Sequence, residues 1–96
     1  MIVVDASAVI EVLLGTPAAD RIAERFFAAG ETLHAPHLLD VEVAQVLRRY
    51  TLAGAFTSER GGEALEDLED FPIARYPHQP FLFRIWGLRH NVTAYD

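Results

Sequence analysis

The sequence contains no cysteine and no lysine, and its longest apolar runs are short. Each absence excludes something. Without cysteine there is no disulfide framework and no thiolate metal site. No apolar run approaches the ~18 residues that a membrane-spanning helix requires. The opening MIVVDAS lacks the basic segment and small-residue cleavage site of a signal peptide, so the cytoplasm is the expected compartment. All eight basic residues are arginine, against 14 acidic ones, giving a formal charge of −6. A net-negative chain does not attract nucleic acid through its overall field. An RNA substrate would need a local arginine patch, bridging metal ions or a second subunit. Acids, in contrast, suit a divalent cation.

What is present fits one folded domain: 96 residues, of which 51% are hydrophobic and 23% charged. Ile2-Val3-Val4 is a β-branched run without polar alternation, the pattern of a central parallel strand. Asp5 ends it, and Ser7 can cap a helix through Leu14. A second helix is expected from Pro17 to about Ala29, stopped by Gly30, and a short strand from Thr32 to Ala35, ending at Pro36. The longest helical pattern runs from Leu38 to Ala53 and closes at Gly54, with Leu39, Val43, Val46, Leu47 and Tyr50 as its core face. A helix starting at Thr57 or Ser58 carries Leu65 and Leu68 and is weakened by Gly61 and Gly62. Ile73-Ala74-Arg75-Tyr76 reads as a third strand, and Phe81 to Asn91 as a further helix with Trp86 as a core or interface anchor. Thr93-Ala94-Tyr95-Asp96 matches the S/T-x-x-D/E signature of another helix start. Alternation of this kind predicts a parallel sheet with helices on both faces, and such sheets place their sites at the carboxyl ends of strands.

Three acids stand out as candidate metal ligands. Asp5 follows a buried strand, where a carboxylate faces the crevice, although a helix-initiating acid would also stand there. Glu42 has Leu38, Leu39, Gln45 and Val46 at helical spacing, so the usual ion-pair explanation for a helical glutamate fails, leaving a solvated flank as the alternative. Asp96 also fits a capping box and says little alone. Carboxylates from different segments converging on one point are what metal-assisted phosphodiester hydrolysis needs. A phosphorylatable aspartate in a flavodoxin-like domain is disfavoured, since that chemistry wants a second acid beside Asp5 and a lysine. His34 and His37 lack a third partner for zinc and read as structural or surface residues. Arg49 shares a stripe with Glu42 and Gln45, so it faces the same side, while Glu59 to Asp70 form an acidic, solubilising helix face.

The segments Val3-Val4-Asp5-Ala6-Ser7-Ala8, Leu33 to Val43 and Leu88 to Asp96 resemble, in order, the parts of PIN domains that carry the family's acids. The similarity extends over the whole chain and points to the toxin halves of VapBC-type toxin–antitoxin pairs. The resemblance implies a three-layer α/β/α sandwich whose parallel strands one to three lie in the order 3-2-1. It makes Asp5, Glu42 and Asp96 ligands of Mg²⁺ or Mn²⁺, with Ser7 assisting through its hydroxyl. It implies a Mg²⁺-dependent endoribonuclease, a homodimer, and a VapB-type antitoxin whose segment fills a groove between helices. Family members continue past the third acid, so this PIN domain (residues 1–96) is expected to lack its C-terminal βαβ part and to leave one edge of strand one unpaired. The alternative reading is a truncated, non-catalytic PIN remnant that binds an antitoxin.

Overall fold

The computed structural model describes residues 1–77, 86 and 93–95. The described elements are β1 (Ile2–Val4), α1 (Ala6–Leu14), α2 (Ala19–Phe26), β2 (Leu33–Pro36), α3 (Leu38–Leu52), α4 (Ser58–Asp70), β3 (Ile73–Tyr76) and β4 (Thr93–Tyr95). They form a parallel sheet of order β3-β2-β1-β4. Its registers are Ile2 opposite Leu33 on one side of β1 and Ile2 to Val4 opposite Thr93 to Tyr95 on the other. β2 pairs with β3 from Leu33–Ile73 to Pro36–Tyr76. This is the expected α/β arrangement with the expected 3-2-1 order.

Two expectations at the C-terminal end fail. Residues 93–95 are a strand and not a helix start, and they occupy the edge of β1 that was expected to be bare. The local T-x-x-D signature gave way to tertiary pairing, because β1's second row of backbone donors and acceptors needs partners. The helix expected over 81–91 lies outside the described residues apart from Trp86, which is helical and 68% exposed, so its ring is not a core anchor.

The alternate residues Ile2, Val4, Leu33, Ala35 and Ile73 present one buried sheet face. That face joins Val9 and Leu13 of α1, Phe26 of α2, Leu39, Val43 and Leu47 of α3, and Ala64 and Leu68 of α4 in one continuous core. Burial of a side chain the size of Phe26 contributes about 2–3 kcal/mol. Tyr50, expected on the core face of its helix, is instead 42% exposed, and Leu65 of α4 is 41% exposed. Each stands three residues from a buried neighbour, Leu47 or Leu68, at the margin of its helix's apolar stripe. The second helix is shorter than expected, because Pro17 and Ala18 form the turn before it and Ala28 to Gly30 lie past its end.

Polar contacts lock the helices to each other and to the sheet. The Arg60 guanidinium donates to the Leu13 carbonyl at 2.8 Å, satisfying an orphan acceptor at the end of α1 from α4. Arg75 on β3 donates through Nε to both carboxylate oxygens of Asp40 in the first turn of α3, at 3.0 and 2.9 Å. Its Nη2 also donates to the Leu68 carbonyl of α4 at 2.8 Å, so one side chain joins three elements. Buried His34 lies within 2.8 Å of both the Tyr76 hydroxyl and the Thr32 hydroxyl, the structural role expected of it.

The adjacent glycines of α4 differ in surroundings. A Cβ on Gly61 would meet Thr51 Oγ1 at 3.1 Å and Phe56 at 3.4 Å, whereas one on Gly62 would meet open space. Gly62→Ala should therefore raise stability in urea unfolding by about 0.5–1 kcal/mol, the helix-propensity difference. Gly61→Ala should gain less or lose stability, because the α3–α4 contact must shift to admit the methyl group.

Candidate metal cleft

Asp5 is positioned by two local demands. It is the last extended residue after β1 (φ −101°, ψ 153°) and also the N-cap of α1. Its Oδ2 accepts the Ser7 backbone N–H at 3.2 Å and the Ser7 hydroxyl at 2.6 Å. The helix therefore starts two residues earlier than expected, with Asp5 and not Ser7 as its cap. Asp5 holds the first orphan amides better from that place, because a charged acceptor strengthens the cap and suits the positive end of the helix. Among the described residues, Oδ1 accepts no hydrogen bond and no basic side chain pairs with Asp5.

An open cleft of about 590 Å³ lies in front of this carboxylate, between the start of α1 and the outer face of α3. Asp5, Ser7 and Glu11 line one side, and Glu42, Gln45 and Arg49 the other. Glu42 is exposed and, among the described residues, makes no hydrogen bond or ion pair. The structure thus brings together Asp5, Ser7 and Glu42. It also bears out Arg49 on the stripe with Glu42 and Gln45. Asp96 lies outside the described residues, as do His90, Arg84 and Arg89.

Glu11 was not singled out from the sequence. It is half-buried at the cleft margin, and its Oε2 accepts a hydrogen bond from the Thr16 hydroxyl. A signal was available, since Glu11 stands four residues after Ser7 and so on the same helix face.

Two carboxylates that no described cation pairs, sharing an open cleft, fit the donor set that magnesium takes, oxygen ligands few in number with waters completing the shell. Among the described residues no group of three acids or histidines could hold a metal ion by itself. Asp5 and Glu42 would supply two protein ligands, and further oxygens must complete the site.

Comparison with known proteins follows the same direction. Ribonuclease VapC1 of Mycobacterium tuberculosis is 44% identical over 95 residues, covering 98% of this chain and 71% of that protein. Ribonuclease VapC9 of the same organism is 41% identical over 96 residues, covering 100% of the chain and 72% of the relative. Ribonuclease VapC12 is 38% identical over 96 residues, covering 100% and 73%. No protein-family profile matches the chain.

The cap geometry separates the structural and chemical duties of Asp5. Asp5→Ala should lose the cap and about 1 kcal/mol in thermal or urea unfolding, whereas Asp5→Asn keeps an acceptor and should stay within a few tenths of the parent. Identity at this level over nearly the whole chain, together with a carboxylate cleft at the end of the first strand, places the chain in the VapC ribonuclease family.

Proposed function

We propose that this protein is the toxin of a type II toxin–antitoxin pair, an endoribonuclease that hydrolyses RNA phosphodiester bonds with Mg²⁺ held by Asp5, Glu42 and Asp96. The observation that carries the reading is the shared cleft of Asp5 and Glu42 at the carboxyl end of β1. The registers lend support to the third acid. Tyr95, the residue before Asp96, pairs with Val4, the residue before Asp5.

When bound, magnesium (or manganese) makes a water a competent nucleophile near neutral pH and neutralises charge developing on the phosphate. The protein's part is to hold and orient. Asp5 and Glu42 offer oxygens that no cation among the described residues has claimed. Ser7 fixes the Asp5 carboxylate through its short hydroxyl hydrogen bond, so that one oxygen is tied and the other left for a ligand. Gln45, one turn after Glu42 on the cleft wall, offers an amide to a phosphate or sugar oxygen.

A cognate VapB-type antitoxin is the partner that the family implies. A second groove of about 300 Å³ between α3 and α4, lined by Leu47, Leu52 and Leu65, supports an apolar helical segment as its occupant. Leu52 is 71% exposed there. A homodimer and a cytoplasmic setting complete the proposal. Among the described residues no helix is long and apolar enough to cross a membrane.

The test is cleavage of RNA with added Mg²⁺ and with chelator. Asp5→Asn and Glu42→Gln should each lower kcat by about 100-fold or more, and Ser7→Ala by about 10-fold through loosened positioning of Asp5. Cutting by Asp5→Asn at the parent rate in excess chelator would sink the proposal.

A further inference from the structure

The acids of the cleft leave its affinity for RNA unexplained. Carboxylates repel a phosphate backbone, and the chain's charge is −6. The distribution of its cations answers this. Of the eight arginines, Arg84 and Arg89 lie outside the described residues. Among the others, Arg25 pairs with Glu31, Arg60 with Glu63 and the Leu13 carbonyl, and Arg75 with Asp40 and the Leu68 carbonyl. Arg21, Arg48 and Arg49 make no ion pair or hydrogen bond among the described residues. Two of those three, Arg48 and Arg49, line the same cleft as Asp5 and Glu42.

We infer that Arg48 and Arg49 are the phosphate-binding residues of this protein, gripping the backbone of a single-stranded RNA beside the bond presented to the acids. This rests on the ribonuclease reading of the cleft. Glu42 and Arg49 lie two turns apart on the same stripe of α3, a rise of about 10 Å, or between one and two nucleotide spacings along a strand. Phosphates flanking the reacting one thus fall within reach of a flexible guanidinium. Arg48 borders both this cleft and the α3–α4 groove, which extends the basic edge away from the acids. Tyr50, 42% exposed, borders the cleft next to them, and a cationic groove with a neighbouring aromatic ring suits an unpaired strand. Neither arginine is asked to touch the reacting atoms. Their effect belongs in binding and not in the chemical step.

The experiment compares the parent with Arg48→Gln, Arg49→Gln, the double variant and Arg21→Gln, a control of equal charge change on α2. Binding of a labelled single-stranded RNA is read by fluorescence anisotropy across a salt series in Ca²⁺, and cleavage of the same RNA is read in Mg²⁺. Each cleft variant should weaken binding about fivefold at 0.1 M salt and flatten the log–log salt slope by about 0.7, the value for one single-strand phosphate contact. KM should rise with kcat within about twofold of the parent, and Arg21→Gln should bind as the parent does. Equal affinity and slope in the double variant, while the parent binds and cuts RNA, would overturn the arginine assignment alone. An equal loss in Arg21→Gln would overturn it too, by assigning the effect to net charge. A parent that neither binds nor cuts RNA would overturn both this inference and the ribonuclease reading.

Discussion

The structure depends on the pairing of β1 along both of its edges. β2 takes one row of its backbone groups and β4 the other, all in parallel. A strand so placed has its backbone polar groups satisfied and its alternate side chains, Ile2 and Val4, buried. Asp5 stands where the strand stops. From there the backbone enters α1 directly, so the carboxylate is held by a rigid strand behind and a helix start ahead.

That junction explains why one residue carries both a structural and a chemical role. Capping α1 ties down Oδ2 of Asp5 through Ser7, and Oδ1 is left without a donor among the described residues. Glu42 arrives from a separate element, held by an α3 that is anchored through Leu39, Val43 and Leu47 and through the Asp40–Arg75 contact. The cleft between them is therefore bounded by elements whose positions are set elsewhere in the core. Such support gives a cation site its geometry before any ion arrives. Arginines follow a similar division, some consumed by helix ends and ion pairs, and two left on the cleft margin.

Much of this was legible in the residues. The β-branched run at Ile2–Val4, the stop at Gly54 and the proline-bounded strand at Ile73 all mark elements that the structure contains at nearly the expected bounds. Glu42 was legible as a candidate because helical spacing offered it no cation. Other features depended on partners that local patterns do not encode. Thr93–Tyr95 is too short to announce itself as a strand, and its fate is decided by the edge of β1. Tyr50 and Leu65 lie at the margin of their helices' apolar stripes, where small rotations decide between core and solvent. Asp5 and Ser7 are both good caps, and sequence alone cannot choose between them. Glu11 escaped notice because a helical glutamate is ordinarily a solvated one.

The central claim is that Asp5 and Glu42 jointly hold one divalent ion. Mn²⁺ binding, followed by electron paramagnetic resonance on the parent, on Asp5→Asn, on Glu42→Gln and on the double variant, tests it without recourse to any RNA. The account predicts that each single change weakens Mn²⁺ binding by at least about 10-fold and that the double change loses little more than the worse single one, as expected for two ligands of one site. Mn²⁺ affinity unchanged in either single variant would contradict it.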